Sequence, residues 1–134
     1  MNTSKKPSKA LHITLWVMQA FLALSFVMAG SMKAFMPLDQ LAAMMAWVTS
    51  VDPIMVRIAG ASELLGAVGL IVPAAFRFMP RLTGIAAAAL ALVVAMGAVV
   101  HLRIGEAITS NMVLFLLAAF VAWGRLMKAP IQSK

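Results

Sequence analysis

Residues 57–70 read R-I-A-G-A-S-E-L-L-G-A-V-G-L, an apolar run broken by an arginine, a serine and a glutamate. Just upstream, Asp52 is a good N-cap and Pro53 a good first helical residue, where proline's missing N–H is not needed. Pro73 is expected to stop the helix at its other end. At ~1.5 Å per residue, Pro53 to Val72 would cross a hydrocarbon core of ~30 Å. Arg57 then lies about one turn from the starting end and can snorkel outward. Glu63 cannot, since it lies ~9–15 Å in. At 100° per residue, Ala59, Gly60, Gly66 and Ala67 share its face. Such small residues either admit a close neighbouring helix or leave room for a ligand. Arg57 points about 120° away, so the two charges are not a pair within one helix.

An ionisable residue at this depth has two readings. It holds two helices in register through a polar contact, or it marks a substrate, proton or cofactor site. No lysine or arginine is expected at its level, because Lys33 and Arg57 lie closer to the surface. Ser25 is the nearest polar candidate on the first span. Glu63 is therefore expected to be a neutral acid at neutral pH, acting as a hydrogen-bond donor.

The rest of the chain fits that reading. Its 134 residues are 63% apolar and 11% charged, with a mean hydropathy of +1.00, which excludes a soluble protein. One membrane domain, residues 1–134, is expected, all-α and polytopic. Four spans are read at about 11–35, 53–72, 81–102 and 109–125. With no cysteine, disulfides, thiol chemistry, iron–sulfur clusters and thiolate metal sites drop out. The net charge of +7 suggests nucleic acid at first sight. The basic residues instead gather at the chain ends and in the turn around Arg77 and Arg81, as membrane topology requires.

Basic Lys5, Lys6 and Lys9 precede the first span. A secretory signal shares that start, but the apolar run is too long for one, so an uncleaved span is expected. Gln19 and Ser25 are its internal polar residues, suited to bonding a neighbouring helix. Pro37 to Thr49 has helical spacing but is too short to cross. It is expected to be a short interfacial helix between spans 1 and 2, as a connector or as a lid over the bundle mouth, with Trp47 at the interface. Pro80 opens the alanine-rich third span. Near its far end Gly97 and Ala98 lie on the face of His101, which is either a hydrated interfacial residue or part of a site. Thr109 or Ser110 can cap the fourth span, where Asn111 shares a face with Leu114, Phe115, Ala118 and Ala122.

Alternating the spans puts Lys5, Lys6, Lys9, Arg77, Arg81, Arg125, Lys128 and Lys134 on one side. Only Lys33, Arg57 and Arg103 fall on the other. That bias predicts both termini in the cytoplasm and the polar residues in the outer half. Arg57, Lys33, Arg103, His101, Glu106 and Asn111 are expected to cluster at the outer mouth.

Residues 57–70 together with A-M-G-A-V-V-H-L-R-I-G-E at 95–106 and V-A-W-G-R at 121–125 resemble the DoxX-like family of small bacterial membrane proteins. The resemblance covers about Leu11 to Arg125. It implies a four-helix bundle in the bacterial inner membrane. Functionally it implies a subunit or accessory of an oxidoreductase, including thiosulfate–quinone systems, and in more distant relatives a receptor-assembly chaperone. It assigns no roles to Arg57, Glu63 or His101.

Three functions follow as expectations. The first is a subunit of a quinone-linked system that binds a lipophilic small molecule near Glu63, with Arg57, His101, Asn111 and Ser25 as further ligand-binding or proton-handling candidates. A quinone is the cofactor in view, and partner membrane or redox subunits or a second copy of the chain are the partners beyond the bilayer. No metal site is read, and a bis-histidine haem is excluded within one chain because His12 and His101 fall on opposite sides. The second is a non-enzymatic scaffold or assembly chaperone, and the third a proton-coupled transporter acting as a dimer. Whether the chain is an enzyme is left open.

Overall fold

A computed structural model describes residues 8–134; Lys5 and Lys6 lie outside the described residues. The chain forms α1 (Lys9–Phe35), α2 (Leu38–Met44), a 3-10 turn (Ala46–Ser50), α3 (Pro53–Phe76), α4 (Arg81–Arg103), α5 (Thr109–Trp123) and a wide π turn (Gly124–Lys128). Among the described residues, four helices are long and apolar enough to cross a membrane, with α5 and the π turn counting as one. The polarity of the bundle is inside-out. Large side chains such as Val17, Leu24, Leu65, Leu92 and Leu116 face outward, while alanines, glycines and a few leucines fill the interior. That distribution suits lipid as the surrounding solvent.

The small residues around Glu63 do both things expected of them. A Cβ placed on Gly60 would stand 2.5 Å from the Ala34 nitrogen and 2.8 Å from the Gly30 oxygen, so α1 and α3 cross backbone to backbone there. Gly66 receives the Leu90 side chain of α4. Ala59, by contrast, faces a cavity.

The ends of the helices follow local chemistry, with two corrections. Asp52 caps α3 through Oδ1, which accepts from the Ile54 N–H at 3.0 Å, and Pro53 is the first helical residue. Pro73 does not stop α3, which runs on to Phe76. Proline removes one donor, leaving the carbonyl four residues back without its partner. Here that carbonyl belongs to Gly69, and the Thr83 hydroxyl of α4 donates to it at 3.0 Å. A neighbouring helix thus repairs the break. The helix ends instead at Arg77, whose left-handed backbone (φ 56°) closes it. Neither Thr109 nor Ser110 caps α5. Ile108 precedes it with no side-chain cap, and Thr109 is its first helical residue.

The segment between α1 and α3 folds inward. Leu41 and Val48 are buried against Val56, with Met32 and Met36 packed around them. The connector therefore covers the bundle at the end opposite the chain termini.

Candidate functional site

At that covered end α1, α3, α4 and the start of α5 separate around a cavity of about 570 Å³. Its walls are mostly apolar, from Phe26, Met45, Val94 and Leu114 among others. Met55 and Ile58 of α3 and Met96 of α4 line it and are about half exposed, so the cavity is not sealed from its surroundings.

Glu63 lies in its wall, 5% exposed. Contrary to expectation a cation does reach it. Lys33 Nζ donates to both carboxylate oxygens, at 2.8 and 3.0 Å. The reason is directional. Side chains on a helix lean toward its N-terminus. The N-terminus of α1 is at the far end of the bundle, so Lys33 leans back into the membrane. The N-terminus of α3 is at the near end, so Glu63 leans outward, and the two meet. The expectation of a neutral acid rested on the lack of a counter-ion, and Lys33 removes that premise.

Arg57 does not line the cavity. Its Nη1 donates to the Lys33 and Met36 carbonyls at 3.0 and 2.8 Å, closing the C-terminal end of α1. It thereby fixes the turn that carries Lys33. Arg103 also stays out of the cavity, whereas Lys33, His101, Glu106 and Asn111 line it. The expected mouth cluster therefore forms in part.

His101 and Glu106 make the second polar pair, with Nδ1 2.7 Å from Oε1. Gly105 adopts φ 77° just past the end of α4, and the Glu106 N–H returns to the His101 carbonyl at 2.8 Å. This left-handed closure, suited to glycine, turns Glu106 back onto the imidazole. Trp47 links the two pairs. Lys33 Nζ lies 5.7 Å from its ring centroid and His101 packs against it edge-on at 6.2 Å. Asn111 donates to the Val94 carbonyl at 3.1 Å, and Ser25 bonds back to Phe21 on its own helix at 2.9 Å. Both line the cavity; the Ser25 hydroxyl hydrogen is committed, whereas Asn111 keeps a second amide hydrogen and its Oδ1 for another partner.

Sequence reading did not place Lys33 beside Glu63, nor Trp47 and Ser62 in the wall. The lean of antiparallel helix side chains was an available signal for Lys33. Trp47 carried none, because its position depends on how the connector folds.

The polar residues at the opposite end form a different object. Arg125, counted among the basic residues of the terminus side, is 2% exposed. Its Nε donates to Gln19 Oε1 at 2.6 Å, and its Nη1 lies 2.9 Å from the Ala129 carbonyl and 3.0 Å from His12 Nδ1. Gln19 in turn donates to the Leu70 carbonyl at 2.7 Å. His12 and His101 do lie at opposite ends, as expected.

Compared with known proteins, the sequence model of the DoxX-like family matches residues 17–124, a range that holds every residue of the cavity. No curated protein and no solved structure matches the chain.

Proposed function

The chain belongs to the DoxX-like family, and from that premise we propose that it binds a lipophilic small molecule in the cavity beside Glu63, as an accessory or subunit of a quinone-linked oxidoreductase system of the bacterial inner membrane. The observation that carries this reading is the cavity itself: apolar walls, exposed apolar residues of α3 and α4 among them, and two ion-pairing clusters that meet at Trp47. A ligand that partitions into the bilayer reaches such a site without leaving the membrane, and the few polar groups orient its head.

The residues present fit a quinone head. Lys33 is a donor suited to a carbonyl oxygen, and Met45 and Trp47 supply apolar surface for a ring. A quinone supplies reversible electron and proton chemistry when bound. Around it, Glu63 and His101 would hold or pass protons at their carboxylate and imidazole, with Glu106 orienting the imidazole through Nδ1. The cavity end faces the periplasm in this reading and both termini face the cytoplasm. Because the chain has no cysteine, Asp39→Cys should react with a membrane-impermeant thiol reagent in intact cells and Arg77→Cys should not. The reverse pattern removes the orientation.

Trp47 is a built-in reporter of binding. Replacing Trp16 and Trp123 by Phe leaves it the single tryptophan of the three. Titration with a short-chain quinone should quench its fluorescence saturably, at one ligand per chain. Glu63→Gln should weaken that binding about tenfold, the size of one charge-assisted contact. Non-saturating quenching, equal in both proteins, would refute the reading.

A further inference from the structure

The terminus end of the bundle holds a second, separate concavity. The C-terminal tail folds back onto the turn between α3 and α4. The Lys134 N–H donates to the Arg77 carbonyl at 3.0 Å, and Arg77 Nε donates to the Gln132 carbonyl at 2.8 Å. Between tail and turn lies a pocket of about 370 Å³, with Arg125 at its floor, Arg81 on its rim, and Phe78, Met79, Leu126 and Ile131 in its walls.

The side-chain charge of this pocket is one-sided. The ion pairs among the described residues are Lys33–Glu63 and His101–Glu106, both at the other end. The four acidic residues of the chain, Asp39, Asp52, Glu63 and Glu106, all belong to that other end. The partners of Arg125 are a side-chain amide, an imidazole and backbone carbonyls. They give each of its nitrogens a partner and leave its positive charge uncompensated. A buried charge is ordinarily balanced by an opposite one. Arg81 adds a second guanidinium at the first position of α4, where a helix favours an anion.

We infer that this pocket is a binding site for the phosphate headgroup of an anionic phospholipid such as phosphatidylglycerol. The pocket lies at the ends of two candidate membrane spans, where a headgroup would be met. Phe78 and Met79, in the turn that joins them, are exposed and apolar. Positive charge beside apolar walls matches a headgroup attached to a lipid: Arg81 suits phosphate through its fork of donors, and Arg125, held by its own partners, adds its charge. The site rests on none of the residues of the quinone reading and stands or falls separately.

The test is native mass spectrometry of the protein released from vesicles of equal phosphatidylglycerol and phosphatidylcholine. One phosphatidylglycerol per chain should be retained in several-fold preference over phosphatidylcholine. Arg81→Ala should abolish that preference, Arg81→Lys should keep part of it, and Lys128→Ala, outside the pocket, should leave it intact. Arg81 is exposed, so its variants should fold, as circular dichroism would verify. Equal retention of the two lipids, or an Arg81→Ala protein that retains phosphatidylglycerol unchanged, overturns the inference. A thermal shift from inorganic phosphate as large as that from phosphatidylglycerol also overturns it, since the site would then read a free anion.

Discussion

The two ends of this bundle spend their polar residues in opposite ways. At the connector end, Lys33 meets Glu63 and His101 meets Glu106 around an open cavity. At the terminus end, Arg125 sits among Gln19, His12 and the Ala129 carbonyl, closely packed with α1, where Leu15 lies against Gly124. Net charge differs while burial does not: Glu63 is 5% exposed and Arg125 2%. The paired charges beside the cavity can exchange a partner for a ligand at modest cost, whereas each nitrogen of the Arg125 guanidinium is already held by the protein. The comparison teaches that burial alone does not identify a site in a membrane protein; what separates the ends is whether a charge faces an opposite charge or only neutral partners.

The largest effect is expected at the terminus end. Arg125→Ala leaves Gln19 and the Ala129 carbonyl without their donor, and loss of several charge-assisted bonds should destabilise the fold by about 3 kcal/mol. The unfolding transition in mild detergent would measure it. A shift near zero would erase the distinction between the ends.

Thr83→Val tests the same end more narrowly. It should cost about 1–2 kcal/mol, because the Gly69 carbonyl loses the donor that stands in for Pro73. Adding Pro73→Ala restores a backbone N–H to that carbonyl and should recover most of the loss. A double variant no better than the sum of its parts would show that the Thr83 contact does not repair α3.

The smallest effect on stability is expected at the cavity. Glu63→Gln keeps an acceptor for Lys33, whose ammonium lies beside open space, so the unfolding transition should move by under about 1 kcal/mol. Its consequence should appear in Trp47 quenching instead. If the Gln variant unfolds as readily as Arg125→Ala, Glu63 is a structural tie like Arg125, and the two ends are alike.

The four spans, the Asp52–Pro53 start of α3 and the opposite placement of His12 and His101 were all legible in the chain. Each follows from a local rule: apolar length, capping chemistry, or the alternation of spans. Reading Pro73 as a helix stop failed because the rule counts only hydrogen bonds within one helix, and Thr83 comes from another. Arg125 was read only as one of the basic residues that mark the terminus side, from its charge and its place after the fourth span. What buries it is α1, more than 100 positions away in the chain.

What the sequence alone determined is the solvent of this protein and the depth of its polar residues, since both depend on apolar length and position along a helix. It brought Glu63, His101 and Asn111 to one end of the bundle. Only the tertiary structure decided which of them meet, that Lys33 is the partner of Glu63, that Arg57 ties α1 instead of facing the cavity, and that Trp47 joins the two pairs. The reason is rotational. A span's length fixes depth, but the direction in which each helix turns its side chains is set by how the small residues pack, at Gly30 against Gly60 and at Gly66 beneath Leu90.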